Sequence, residues 1–277
     1  KNYMKILNWK LFLGELVGEK PIESIESYIQ GMSMTIQDKL FFLDKINFDC
    51  IVDFGCADGT TLFEIQKRKP NVKLIGYDLD DQMLQLASDK VKGAFLTSKW
   101  PEIIEEIKSH KRVVLNLSSV IHEVYSYSHP SAVKVFWENQ VFGDRFNYIT
   151  IRDMIPSTQL AKKEIHTFEE DVIKVKSKSD PYYLDSFEKK WGTIDDDYRT
   201  FTHYILKYRF TDNWEREVNE NYLPVSLETL KKKIPSNYSI VYEEDFILPF
   251  LKQKVKEDFD VVMTHSTHTK MIIKRND

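Results

Sequence analysis

Apolar residues fall in two rhythms along this chain. Between positions 48 and 156, short unbroken apolar runs alternate with stretches whose apolar positions recur every three or four residues, the pattern of buried strand followed by amphipathic helix. The runs at Ile51–Phe54, Val72–Tyr77, Gly93–Leu96, Val113–Leu117 and Phe146–Ile151 predict five strands. Thr60 to Lys69 predicts a helix with Lys67, Arg68 and Lys69 at its end and Pro70 as its stop. Asp80 or Asp81 caps the next helix, which buries Met83, Leu84 and Ala87. A helix from about Pro101 to Ser109 precedes the fourth strand. Another, opened by Ser128 or Ser131 and closed by Gly143, presents Val133, Phe136 and Trp137. Such alternation predicts an α/β fold with a parallel sheet and ligands at the carboxyl ends of its strands.

Three further segments flank or interrupt this core of residues 48–156. Residues 1–47 read as a helical leader, with Ile25, Tyr28, Ile29 and Met32, then Ile36, Leu40, Leu43 and Ile46, at helical spacing. Residues 157–225 break the rhythm. They are dense in aromatics, and Asp195-Asp196-Asp197 can cap a helix carrying Phe201, Ile205 and Tyr208 on one face. This reads as an insertion after the fifth strand, lying over the strand ends. Its aromatics form either a substrate wall or base-stacking platform, or the insertion's own core. In residues 226–277, a helix at Ser226–Ile234 precedes strands at Tyr238–Tyr242 and His268–Lys274, with no helix expected between the two strands.

Composition narrows the function classes. The net charge of −4 and pI near 6.0 exclude a surface that is basic throughout, as a general nucleic-acid footprint would need. Lys231-Lys232-Lys233 reads as a solvated helix face. No apolar run approaches the length of a membrane span and no secretory cleavage pattern follows Lys1–Lys20, so an intracellular, cytoplasmic protein is expected. Cys50 and Cys56 flank one strand too closely for a bridge and are expected as reduced thiols. His265 and His268 would point to opposite faces of an extended segment, and no metal site is expected.

The densest chemistry lies at Ile51-Val52-Asp53-Phe54-Gly55-Cys56-Ala57-Asp58-Gly59. A buried strand ends there in a turn where Gly55 permits close ligand approach and Gly59 frees the next helix start. Asp53 and Asp58 make the turn acidic, ill-matched to phosphate and well matched to a sulfonium. A dinucleotide fingerprint would need Gly where Ala57 and Thr60 stand.

The turn resembles motif I of the class I S-adenosylmethionine-dependent methyltransferases. Asp78 at the end of the second strand and Val113–Ser119 followed by Val120-Ile121-His122 match that family's later elements in order. Ala57 departs from it, where Gly is frequent. The resemblance implies a Rossmann-like seven-stranded sheet in the order 3-2-1-4-5-7-6, its last strand antiparallel and closing a terminal hairpin, with helices on both faces. It implies S-adenosyl-L-methionine as cofactor and S-adenosyl-L-homocysteine as product. Asp78 would hold the ribose, the Gly55–Gly59 loop with Asp53, Cys56, Ala57 and Asp58 the amino-acid part, and Leu79 and Met83 the adenine. Asn116 and Ser118 would lie near the transferring methyl. His122 is the candidate general base, and equally suits a buried packing histidine. Asp153 with Arg152 would orient the acceptor or pair with each other. The favoured function is methyl transfer to oxygen or nitrogen of a small molecule. The alternatives are an RNA or other macromolecular acceptor, gripped by a rim of Lys174, Lys176, Lys178, Lys189, Lys190 and Arg209, and a non-catalytic cofactor-binding module.

Overall fold

A computed structural model describes residues 35–161 and 168–276. The leader positions Ile25, Tyr28, Ile29 and Met32 lie outside the described residues. The strands are β1 (Cys50–Phe54), β2 (Lys73–Tyr77), β3 (Phe95–Thr97), β4 (Val113–Ser118), β5 (Tyr148–Asp153), β6 (Tyr238–Phe246) and β7 (His268–Arg275). They form one sheet in the order β3-β2-β1-β4-β5-β7-β6, in which β7 runs antiparallel to both its neighbours and the other pairs are parallel. Every residue of β1 and β4 is buried, because helices cover both faces.

Strand alternation divides the core between those faces. Cys50, Val52 and Phe54 pack on one side with Tyr77, Trp100 and Phe136, whereas Ile51 faces Leu62 and Ile65 on the other. The Phe54 ring lies 4.8–5.5 Å from the rings of Tyr77, Trp100 and Phe136, so one strand end is held rigidly by aromatic contact. Both cysteines are free and buried.

The helices of the core are α1 (Ile36–Lys39), α2 (Thr60–Arg68), α3 (Asp81–Lys90), α4 (Trp100–Ile107), α5 (Ile121–Tyr127) and α6 (Pro130–Val135). Asp80 caps α3, accepting from Gln82 N and Met83 N. The cap of α6 is His129, whose ring nitrogen accepts from Ser131 N at 3.3 Å, and not the expected Ser128 or Ser131. Beyond α6 a π-helical stretch, Phe136–Val141, turns Phe136 and Trp137 into the core.

The insertion comprises α7 (Thr158–Ala161), α8 (Glu169–Lys178), α9 (Pro181–Trp191), α10 (Tyr198–Lys207), a 3-10 segment at Tyr208–Asn213, and α11 (Trp214–Glu217). Asp197 caps α10 through Thr200 N. The chain then passes through α12 (Leu227–Lys231), capped by Ser226, and reaches β6. Between β6 and β7 stands α13 (Pro249–Phe259), which corrects the expectation that those strands join without a helix. Leu251, Val255 and Phe259 recur every fourth residue along it and pack with Phe187, Phe201 and Tyr204 of the insertion. The insertion therefore has its own apolar core, to which the sheet's last connection contributes. Among the described residues no helix is long and apolar enough to cross a membrane.

Candidate functional site

The turn after β1 is built by backbone geometry that few residues tolerate. Gly55, Ala57 and Gly59 have φ of 73°, 46° and 76°. A β-carbon on Gly55 would sit 2.7 Å from Val120 Cγ2. Ala57 adopts the left-handed region despite its methyl group, a conformation that costs an L-residue about 1–2 kcal/mol. The turn is tied to β2 from both directions: Gly55 N and Cys56 N donate to Tyr77 O at 2.8 and 3.0 Å. Asp78 Oδ2 accepts from Ala57 N at 2.8 Å, and its Oδ1 accepts from Asp80 N at 2.9 Å. Asp58 is committed locally, to Thr60 N and Oγ1 and to the Lys90 ammonium.

Behind the turn, strand register makes a polar row through an apolar sheet. Asp53 lies opposite Asn116, and Asn116 opposite Thr150. Asn116 Nδ2 donates to Asp53 Oδ1 at 2.7 Å, and Thr150 Oγ1 donates to Asn116 Oδ1 at 2.8 Å. Burial pushes the Asp53 carboxyl up to about 7 against the pull of Asn116 and Lys39. Burial, then Arg152, draws the Lys39 ammonium down to about 8.

At the end of β4 the backbone passes through Ser119, with φ 57°, into α5. Asp153 organises this junction. Its Oδ2 accepts from Val120 N at 2.9 Å and Ile121 N at 2.6 Å, meeting donors that a helix start leaves unpaired. Its Oδ1 accepts from Met154 N and contacts His122 Nδ1, each at 2.7 Å. His122 Nε2 lies 3.7 Å from Glu220 Oε2 of the insertion. Burial opposes charge on this imidazole, but Asp153, then Glu220 and Glu123, outweigh it and raise the pKa to about 9. These carboxylates thus draw the imidazole towards its charged form, and the ring is buried while lining the cavity.

His122, Glu123 and Glu220 offer ligand atoms within 4.8 Å of one another. Arg216 already lies among them, 3.2 Å from Glu123 Oε1 and 3.0 Å from Glu220 Oε1. A metal ion there would have to displace that guanidinium.

A cavity of about 320 Å³ opens between the strand ends and the insertion. Asp53, Gly55, Cys56, Ala57 and Asp58 line it, as do Asp78, Met83, Ser118 and His122. Ser118 Oγ is buried without a hydrogen-bond partner among the described residues. Gly59, Leu79, Asn116 and Asp153 are not on its wall. Gly59 packs against α3, Leu79 against the apolar core, and Asn116 and Asp153 stand behind Asp53 and His122. Asp153 reaches the cavity only through the His122 ring and the start of α5 that it bonds. Lys39, Glu217, Glu220, Tyr222 and His268 line the cavity too. None stands in a local motif, so their approach is a product of folding alone. Phe187 and Phe201 fill the insertion's core, while Phe210 and Tyr222 pack against that core and also line the cavity.

Of the basic residues expected as a macromolecular rim, two are ion-paired and one is bonded to an amide. Lys174 pairs with Asp171 at 3.4 Å, Lys176 with Asp195 at 2.5 Å, and Lys190 bonds Asn219. Arg209 lines the cavity itself.

The sheet order with its reversed seventh strand, and helices on both faces, is the class I, Rossmann-like methyltransferase fold. No family model matches the chain. Among curated proteins it is similar to a carboxy-S-adenosyl-L-methionine synthase from Nautilia profundicola, 29% identical over 122 residues. That match covers 36% of this chain and 51% of the relative, so the chain spans about half the length of the curated protein it matches. Among solved structures it is similar to the plantazolicin methyltransferase BpumL in complex with a pentazolic desmethylPZN analog and SAH, at 12% identity and TM-score 0.43, covering 91% of this chain and 87% of that one. An O-methyltransferase family 2 protein from Planctomyces limnophilus in complex with apigenin gives 10% identity and TM-score 0.47, with coverages of 92% and 62%.

Proposed function

We propose that this chain is an S-adenosylmethionine-dependent methyltransferase acting on an oxygen or nitrogen of a small-molecule acceptor. The observation that carries this reading is Asp78: a carboxylate at the end of β2, bonded to the turn after β1 and lining the same cavity. The orphaned hydroxyl of Ser118 on that wall supports an occupant with polar groups.

In this reading Asp78 takes the ribose hydroxyls, and Met83 meets the adenine. The backbone at Gly55 and Ala57 receives the amino-acid part, with the Lys39 ammonium available to its carboxylate. When bound, the cofactor supplies a methyl group on a sulfonium, which an acceptor lone pair displaces in line to leave S-adenosylhomocysteine. His122, bonded to Asp153 through Nδ1 and facing Glu220 through Nε2, would position the Glu220 carboxylate on the cavity wall beside the acceptor. Glu217, held well above the usual carboxylate range by burial and by Glu220, is a proton carrier on the same wall. Phe210, Phe250 and Tyr222 offer flat apolar contact, which favours a small acceptor over a polynucleotide backbone.

A second reading, favoured by the name of the curated relative, is that the bound cofactor is itself converted to a carboxylated derivative. Calorimetry with S-adenosylhomocysteine tests the shared premise, and absence of binding at saturating ligand would sink both readings. Radiolabelled methyl transfer to fractionated metabolites, with mass spectrometry of the recovered nucleoside, separates the two.

A further inference from the structure

We propose that the acceptor carries a carboxylate, held at the insertion side of the cavity by Arg152 and Arg209 with His268 beside them. This rests on the methyltransferase reading for the word acceptor, while the anion site itself rests on the residues.

Arg152 is 4% exposed. Its Nε donates to Asp38 at 2.9 Å and its Nη1 to Ser119 Oγ at 2.9 Å, but Nη2 is buried with no hydrogen-bond partner among the described residues. An unmade bond on a buried cation is expensive, and such groups are normally satisfied. The Arg209 guanidinium lies 4.2 Å from the ring centres of both Phe210 and Phe250, and no carboxylate forms an ion pair with it among the described residues. Burial, then Arg152, acts against His268, and Arg209 adds to the effect, so this imidazole is held neutral. His268 Nδ1 meets Thr267 Oγ1 at 2.8 Å, and its Nε2 makes no hydrogen bond among the described residues. All three side chains line one cavity.

Burial, then Arg152, acts against the charge of Arg209, Asp38 meets only one side of Arg152, and an anion in the cavity would answer both cations. The planar fork of arginine matches a carboxylate in two parallel bonds. Local acids do not fill that role. Asp38 is shared between Arg152 and Lys270, and Glu217 bonds the Tyr222 hydroxyl and is held towards its neutral form. The strand register puts Arg152 beside Ser118, at the end of β4 where the proposed acceptor enters. The same chemistry has a second source, the carboxylate of the cofactor's methionine part, and the test separates them.

The experiment titrates the full chain with benzoate, and with benzamide as its uncharged counterpart, in the presence and absence of saturating S-adenosylhomocysteine, by calorimetry. Benzoate is expected to bind and benzamide not. Arg209→Met should weaken benzoate by about ten-fold or more, the worth of one charged hydrogen-bond pair, with S-adenosylhomocysteine affinity unchanged. Arg209→Lys should give an intermediate value, and circular dichroism confirms that each variant is folded. Equal binding of benzamide, absence of benzoate binding, or benzoate binding that survives Arg209→Met overturns the proposal. Loss of S-adenosylhomocysteine affinity in Arg209→Met with benzoate unaffected assigns the cations to the cofactor and also overturns it. Should the wild-type chain fail to bind S-adenosylhomocysteine, the methyltransferase reading falls, yet benzoate binding that is lost in Arg209→Met still upholds the anion site.

Discussion

Asp78 carries two duties on one side chain, closing the turn after β1 through Ala57 N and facing the cavity. Asp78→Ala is expected to weaken S-adenosylhomocysteine binding by about 1.5–3 kcal/mol, the worth of charged hydrogen bonds, and calorimetry reads this directly. An unchanged dissociation constant would remove its role at the ribose. His122 leads to a pH prediction. Its folded pKa of about 9 lies above the ordinary 6.5, so the stability it confers is fully present below about pH 6.5 and is lost as pH rises through about 9. The pairing with Asp153 and Glu220 corresponds to about 3 kcal/mol across that window. His122→Gln should therefore flatten the urea midpoint between neutral and alkaline pH relative to the parent chain. A parallel decline in both proteins would assign the loss to other groups.

Among the elements, the β4–α5 junction depends most on a single group. Asp153 meets two backbone donors at the start of α5, a third at Met154, and the His122 ring. Asp153→Ala should cost about 3–5 kcal/mol in urea unfolding, because it strands a buried charge and frees a helix start together; a loss below about 1 kcal/mol would mean that water replaces those bonds. Strand periodicity and glycine content made β1, β2, β4 and their turns readable, since burial on two faces and positive φ constrain residue type locally. The helix α13 was missed although Leu251, Val255 and Phe259 carry its spacing and Pro249 suits its first turn. Its apolar face answers to the insertion's core and not to the sheet.

For the molecule as a whole, the insertion and α13 share an apolar core that lies over the strand ends. Phe187 is fully buried in it, its ring 5.3 Å from that of His203 and 5.1 Å from that of Tyr204. Phe187→Ala should cost about 3–5 kcal/mol, and hydrogen exchange should show the loss concentrated in α8 to α10 while amides of β1 and β4 stay protected. Equal deprotection of both regions would show one cooperative unit instead. The chemistry of the cavity depends on this core, since Glu217, Glu220 and Arg209 reach the cavity only because the insertion packs where it does.

The amino-acid order alone determined the alternation of strand and helix, the glycine turn and the acidic residue that ends β2, because each answers to a constraint felt within a few residues: burial, φ sign, or a helix start. Tertiary structure alone decided that His122 is clamped between carboxylates distant in the chain, that Asp153 and Asn116 support the wall without forming it, and that two arginines share a cavity. The state of a charge depends on which groups surround it in space, and proximity between distant segments has no signature in local spacing.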